Sequence, residues 1–314
     1  MTFQDKSNTG ISTKVLSICI VTLKTRDYLR KCLESIFANP YYGPMEIIVI
    51  DNHSQDGTIE LLHENFPSVI LIENDHNAGY TFPNNQGLRR AKGDYLMLLN
   101  PDTLVLPGSL DGLVKFMDIN SEIGICGPKV LNPDGSLQQP CRRGEPRPLA
   151  VISYFLGLSR LFPKSKVFGG YLLNYLPEDE THRVDGVAGS CLLIRREVIN
   201  QIGFLDERFF AYQEDADYCF RARQAGWQIY YYPKVSIIHF GGMGGTRAEP
   251  YRSILAWHKS YYLYYRKNLA KDYFFLFNWV YYAAMLLKFL SSILINLFRR
   301  EKYAGPRRNI EATR

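Results

Sequence analysis

Residues 15–22 read VLSICIVT, a short apolar and β-branched run, which is the pattern of a buried strand. Polar LKTRD follows, and then apolar residues at helical spacing: Tyr28, Leu29, Cys32, Leu33, Ile36 and Phe37. The alternation continues downstream. EIIVID at residues 46–51 predicts a second buried strand that ends in an acid. NHSQDGT then turns into a helix with Ile59, Leu61 and Leu62 apolar, and VILIE at residues 69–73 predicts a third strand. A helix bearing Asn84, Gln86 and Leu88 leads to a fourth strand, DYLMLL at residues 94–99. Strand and helix alternating at this spacing predict an α/β fold on a parallel sheet with right-handed crossovers.

In open parallel sheets the ligand site lies beyond the carboxyl ends of the strands. Here those ends carry Thr22, Asp51, Asn77 a little past the third strand, and Asn100-Pro101-Asp102 after the fourth. Four polar ends at one rim predict a site there. It is not a dinucleotide site of the GxGxxG kind, since LKTRD has no glycine for close approach to a pyrophosphate, and no GxxxxGK[ST] loop is present. Asp102 is expected at the sheet's end and not buried within it, where its carboxylate could hold a hard divalent cation. NPD followed by Thr is also ordinary turn chemistry.

A second cluster lies in FFAYQEDADYCFRARQAGW, residues 209–227, where Glu214, Asp215 and Asp217 follow an aromatic wall of Phe209, Phe210 and Tyr212. A carboxylate beside aromatics at a helix start is partly desolvated, which raises its basicity toward that of a general base. Capping of the helix accounts for the same acids. Between the clusters, residues 103–140 predict a helix near Leu110–Met117, a strand near Ile123–Cys126 and a hairpin-like NPDGS turn. Arg142, Arg143 and Arg147 with Pro146 and Pro148 suggest a mobile loop that could meet an anionic substrate, or a solvated loop. Residues 151–162 are a helix candidate. VDGVAGSCLLIRREV, residues 184–198, offers small residues at Gly186, Ala188, Gly189 and Ser190 for close approach of sugar or backbone, or for a tight corner. Two further strands, residues 228–232 and 235–238, end at His239 before GGMGG; this histidine is a plausible second metal ligand.

Hydrophobic content of 46% and charged content of 22% over 314 residues describe a folded chain with room for one large domain and an appendage. A net charge of +6 is too mild and dispersed to argue for nucleic acid. The six cysteines show no CxxC pair or metal-ligand spacing, which points to a reducing compartment such as the cytosol. Residues 1–14 are polar, have no apolar run suited to a signal peptide, and are expected to form a loose tail.

SICIVTLKTRDYLRKCLESI, EIIVIDNHSQDGT, HNAGYTFPNNQGL, GDYLMLLNPDT, VDGVAGSCLLIRREV, FFAYQEDADYCFRARQAGW and VSIIHFGG occur in this order over roughly residues 15–245. The ordered set resembles the inverting family 2 glycosyltransferases of GT-A fold, within them the bacterial rhamnosyltransferase-like members. The resemblance implies a nucleotide-diphospho-sugar donor, with Asp51 and the backbone near Thr22 at the nucleobase and Asn77 and Asn85 near the donor. Asn100-Pro101-Asp102 takes the place of the family's DxD motif, with Asp102 facing Mg²⁺ or Mn²⁺ and His239 completing the metal site. Asp215, second acid of the Glu214-Asp215 pair, is implied as the general base. The sequence departs from the family at Asn100, which replaces the first acid of DxD. It also departs at Tyr80-Thr81-Phe82-Pro83, which replaces a glycine-rich turn, and at Gly186, where many relatives carry Trp.

Residues 251–266 are dense in aromatics and helical in pattern, and residues 273–298 are nearly continuously apolar, ending in Arg299-Arg300. That length suffices for a bilayer span of ~20 residues, but Lys288 near the middle opposes it, a central charge costing ~2.5–3.5 kcal/mol. An interfacial helix fits the same composition, as does a packing or dimerisation helix. The basic cluster of Arg299, Arg300, Lys302, Arg307 and Arg308 favours association with the cytoplasmic face of an anionic membrane.

The expected organisation is a tail (1–14), a GT-A domain (15–250) and a membrane-associating helical region with a basic tail (251–314). The expected activity moves a sugar, rhamnose from dTDP-rhamnose foremost, to a hydroxyl of a lipid-linked or surface-polysaccharide acceptor. A UDP- or GDP-hexose transferase, a nucleotidyltransferase and a non-catalytic carbohydrate-binding relative are the alternatives; donor, acceptor and oligomeric state are open.

Overall fold

The structure, a computed structural model, describes residues 13–299. Nearly all of the expected N-terminal tail, and Arg300, Lys302, Arg307 and Arg308 of the basic cluster, lie outside the described residues.

The first half follows the apolar runs: β1 (Leu16–Thr22), α1 (Arg26–Ala38), β2 (Met45–Asp51), α2 (Thr58–Asn65), β3 (Ile70–Glu73), α3 (Thr81–Arg90) and β4 (Tyr95–Leu99). β1 and β4 are buried at every position, which is why neither shows polar alternation. β1 pairs in parallel with β2 and β4, and β2 with β3, so that Thr22 is opposite Asp51 and Asp51 opposite Glu73. Three strand ends thus share one rim.

The second half comprises β5 (Thr103–Val105), α4 (Ser109–Ile119), β6 (Ile123–Leu131), β7 (Arg142–Arg143), α5 (Pro148–Phe155), α6 (Leu158–Leu161), β8 (His182–Arg183), β9 (Gly186–Val187), β10 (Cys191–Arg195), α7 (Arg196–Ile202), α8 (Glu214–Gln224) and β11 (Gln228–His239). The main sheet runs β3-β2-β1-β4-β10-β6-β11-β5 with β8 on β11, and β7 and β9 form a separate ribbon. Pairing is parallel from β3 to β4 and again between β6 and β11, while β10 runs antiparallel to both neighbours. The two strands expected at 228–238 are one, β11, irregular between Tyr232 and Ser236, where Pro233 has no N–H for the ladder. The single helix expected over residues 151–162 is two short ones, broken at Gly157 with φ +76°.

One apolar core fills both faces of the main sheet; a second, aromatic cluster gathers Val151, Phe209, Tyr261, Tyr264, Tyr265, Leu269 and Tyr281. The chain ends in α9 (Gly245–Ala248), α10 (Pro250–Tyr264), a π-turn and 3₁₀ turn over residues 265–272, and α11 (Phe275–Phe298). Among the described residues α11 is the one helix long and apolar enough to cross a membrane, with mean hydropathy 1.6. All six cysteines are free and buried.

Candidate active site

The rim of β1–β4 holds the first group of expected residues. Asp51 is buried at the end of β2; its Oδ2 accepts the Ser54 N–H at 3.1 Å, and its Oδ1 has no partner. A buried acceptor left open is suited to an incoming N–H donor. Asn77 Oδ1 accepts from Asn52 Nδ2 at 2.9 Å and from Gly79 N at 3.0 Å, while its Nδ2 donates to Glu249 Oε1 at 3.2 Å. Thr22 is buried, with its hydroxyl 2.8 Å from that of Thr25. Asn85 corrects the expectation of a donor contact. Its amide donates to Leu205 O and Glu207 Oε1, both at 2.9 Å, and its oxygen accepts Leu205 N–H at 3.0 Å. It is fully buried, fastening the 205–207 loop to α3.

Asp102 lies just past β4, yet it is only 4% exposed, which corrects the expectation of an open carboxylate. The turn after β11 folds over it: Phe240 N donates to Asp102 O at 2.9 Å and Met243 N to Oδ2 at 3.4 Å. Gly241 and Gly242, at φ +73° and +74°, allow that turn. Burial opposes ionisation of Asp102, but the charge and hydrogen bond of His239 bring its carboxyl below the ordinary value.

His239 Nε2 stands 3.1 Å from Asp102 Oδ1 and 3.2 Å from Asn100 Nδ2. Its Nδ1 lies 2.7 Å from Gln138 Oε1. Gln138 Nε2 donates to Asn132 Oδ1 at 3.1 Å and His239 O at 3.2 Å, which fixes the amide orientation. Gln138 Oε1 is therefore an acceptor and His239 Nδ1 carries the hydrogen. In that tautomer Nε2 offers a lone pair, which the Asn100 amide N–H can meet, beside the Asp102 carboxylate. Asp102 and His239 are the two side chains here that could hold a divalent metal, while the Asn100 oxygen is taken by the Tyr80 hydroxyl. Among the described residues no group of three or more His, Cys, Asp or Glu side chains forms a larger ligand set.

The second cluster is assembled by strained backbone. Tyr212 and Gln213, at φ +68° and +63°, turn the chain into α8 so that Glu214 and Asp215 open its first turn. Asp215 Oδ2 accepts the Gly189 N–H at 2.8 Å and is ion-paired with Arg143, and Oδ1 accepts the Ala216 N–H at 2.7 Å. Glu214 is buried beside it with Oε2 unpartnered, and burial, reinforced by the charge of Asp215, pushes its carboxyl up to about 8. Burial thus favours the protonated form of Glu214. Asp217 faces away from them: it accepts from Lys267 Nζ at 2.7 Å, Asn268 Nδ2 at 2.9 Å and Arg221 Nε at 3.0 Å.

The arginine loop expected to be mobile is instead packed. Arg142 is 2% exposed; its guanidinium donates to Pro177 O and Leu176 O and stacks 5.0 Å over Tyr231. Arg143 meets Asp215, and Arg147 stays exposed beside Glu145. Gly189 packs against Asp215, so the small-residue corner seats the acid.

Three residues escape a reading of the sequence: Arg143 as the partner of Asp215, Gln138 as the partner of His239, and Tyr80. The Tyr80 hydroxyl lies 3.0 Å from Asn100 Oδ1 and 2.9 Å from Gly189 O. It spans the interval between Asn100, beside Asp102 and His239, and Gly189, whose N–H meets Asp215. Gly79, at φ +91°, is needed beneath it, because a Cβ there would stand 2.3 Å from Phe210 O. Burial, with the charges of Glu214 and Asp215, keeps the Tyr80 phenol protonated.

The family described as Glycosyl transferase family 2 matches residues 17–203. An N-acetylglucosaminyl-diphospho-decaprenol L-rhamnosyltransferase of Mycobacterium tuberculosis is 29% identical over 263 residues, covering 80% of this chain and 84% of its own length. Rhamnosyltransferase WbbL of Escherichia coli is 25% identical over 234 residues, covering 71% and 82%. Among solved structures, the mannosyltransferase PcManGT from Pyrobaculum calidifontis, in complex with GDP-Man and Mn²⁺, aligns with a TM-score of 0.54 at 17% identity. That alignment covers 80% of this chain and 64% of the neighbour, and it is a likeness of fold.

Proposed function

Because this chain belongs to glycosyl transferase family 2, we propose that it is an inverting, metal-assisted hexosyltransferase. It takes a sugar from a nucleotide-diphospho-sugar, dTDP-rhamnose foremost, and delivers it to a hydroxyl of a lipid-linked glycan at the cytoplasmic face of the membrane. The rhamnosyltransferase names of the relatives, one of them acting on a decaprenol-linked sugar, support the donor and acceptor classes. The unpartnered Oδ1 of buried Asp51 supports a nucleobase contact there, since a nucleobase brings an N–H donor.

The observation that carries the mechanism is the Tyr80 bridge. One hydroxyl separates Asn100, beside Asp102 and His239, from Gly189, whose N–H holds Asp215. Leaving group and attacking hydroxyl therefore have opposite ends of one short site available. Asp215 takes the proton of the acceptor hydroxyl as its oxygen bonds the anomeric carbon and the bond to the diphosphate breaks. Attack from the face away from the leaving group inverts the configuration. Arg143 and the Gly189 N–H hold the Asp215 carboxylate in place for this step. A Mg²⁺ or Mn²⁺ held by Asp102 and His239 supplies, when bound, positive charge against the developing diphosphate.

The test is transfer from dTDP-rhamnose, UDP-hexoses and GDP-hexoses to a prenyl-diphosphate-linked sugar, with Mn²⁺ or with chelator, and the anomeric configuration read by NMR. Inverted product from dTDP-rhamnose that disappears with chelator supports the whole reading. A preference for UDP or GDP donors keeps the class and changes the sugar. No transfer from any donor returns the nucleotidyltransferase and carbohydrate-binding alternatives.

A further inference from the structure

α11 is polarised in the reverse sense to a helix on a water-soluble surface. Three of its polar residues face the protein: Asn278 donates to Ala270 O at 2.9 Å, Tyr281 Oη lies 2.6 Å from Tyr261 Oη, and Asn296 is buried, while Lys288 and Ser291 are exposed. Its outer face is hydrocarbon, including Leu276, Leu287, Leu290, Leu294 and Trp279, the last 69% exposed. A second apolar surface, on α5 and α6, adjoins it. Leu156 is 68% exposed and Leu161 70%, and Phe155 joins the two surfaces through Trp257 at 6.0 Å and Lys288 at 4.8 Å.

Both surfaces are free of acids. The sequence between Glu145 and Glu178 contains Arg147, Arg160, Lys164 and Lys166 and no Asp or Glu. The sequence between Asp272 and Glu301 contains Lys288, Arg299 and Arg300 and again no Asp or Glu. Hydrocarbon interleaved with cations alone is complementary to an anionic lipid surface, whereas a second copy of the chain would set like charges against each other.

The packing of α11 also fixes how it meets the lipid. It lies against α10 from Tyr281 beside Tyr261 to Ser292 beside His258. α10 is itself fastened to the catalytic domain through Ser260 Oγ donating to Ala211 O at 2.8 Å, and Arg252 stacks 4.4 Å over Phe210. A membrane-crossing α11 would carry the exposed Lys259 of α10 and the exposed Arg266 of the π-turn after it into hydrocarbon.

We propose that α11 lies in the plane of the membrane and that α5–α6 docks beside it, the two forming one surface for an anionic bilayer. Arg143, which touches Asp215, precedes α5 by five residues, and Val151 of α5 packs in one cluster with Phe209, so one segment links the acid cluster to that surface. This deepens the reading of a lipid-linked acceptor and rests on it.

The test is flotation of the full chain with vesicles of phosphatidylcholine and phosphatidylglycerol, read without donor or acceptor, so that a failed transfer assay leaves it standing. The expected result is stronger binding to anionic than to pure phosphatidylcholine vesicles. Leu156→Glu with Leu161→Glu should lower the partition coefficient roughly tenfold or more, with nucleotide binding and transfer to a water-soluble acceptor unchanged. Lys164→Glu with Lys166→Glu should remove only the preference for anionic lipid. A C-terminal tag on protein added from outside should stay fully cleavable by external protease. Unchanged partition in the leucine variant overturns the α5–α6 contact, and a protected tag overturns the in-plane placement. A dimer in sedimentation that binds no vesicles assigns the surface to a second copy and overturns the proposal.

Discussion

Lys267 Nζ lies 2.7 Å from Oδ1 of the fully buried Asp217, tying the segment after α10 to the helix that presents Asp215. Asn268 and Arg221 complete the shell of Asp217, and Lys267 also reaches Asp206 at 2.7 Å. The C-terminal region is thus part of the scaffold of the active site. Asp217→Ala should destabilise the fold by roughly 3–5 kcal/mol, since it removes the buried carboxylate that Lys267, Asn268 and Arg221 share and leaves Arg221 without its ion-pair partner. Denaturant unfolding measures this, and an unchanged midpoint would contradict the role.

Glu214 gives stability a dependence on pH. Its carboxyl is raised from an ordinary 4.5 to about 8 by burial and by Asp215, so between these values the folded state holds a proton that the unfolded state has lost. Stability from this group is full below the unfolded value and declines as pH rises through that window. Glu214→Gln should flatten the decline in melting temperature between pH 5 and pH 8. A variant with the wild-type slope would locate the pH dependence elsewhere.

Asp215→Asn should reduce transfer by about 10²- to 10⁴-fold, the usual share of a general base, with nucleotide affinity preserved. Near-normal turnover would remove Asp215 as the base. Arg143→Ala should also lower turnover, with partial recovery in Arg143→Lys, because the ion pair positions the carboxylate. Equal loss in both variants would point to the guanidinium's bond to Val187 O, at 3.2 Å, as the part that matters.

Tyr80→Phe removes the hydroxyl between Asn100 and Gly189 while keeping the ring. The expected outcome is about a tenfold loss of turnover, in line with one or two buried hydrogen bonds, and little change in melting temperature. A loss confined to stability would make the bridge a packing feature only.

The first four strands were legible because strands covered on both faces are written as unbroken apolar runs, and VLSICIVT, EIIVID, VILIE and YLMLL are such runs. The direction of β10 was not legible, since CLLIR reads the same whichever way the strand runs. Arg142 and Arg143 were misjudged for a related reason. Arginine is usually exposed, and the groups that bury these two, the carbonyls of Leu176 and Pro177 and the carboxylate of Asp215, lie 34 to 72 residues away in sequence. The resemblance singled out Asp102, His239 and Asp215. The side chains that orient them, Gln138, Tyr80 and Arg143, carry no local signature. Asn85 shows the converse: a polar residue at a motif position whose hydrogen bonds all serve the fold.

The most direct measurement is calorimetric binding of dTDP, with and without Mn²⁺, to the wild-type chain and to Asp102→Asn and His239→Ala. The expected result is tight binding that requires Mn²⁺ in the wild type and weak binding, indifferent to the metal, in both variants. Equal dTDP affinity with Mn²⁺ and with chelator in the wild type would contradict a metal-assisted sugar transfer at Asp102 and His239.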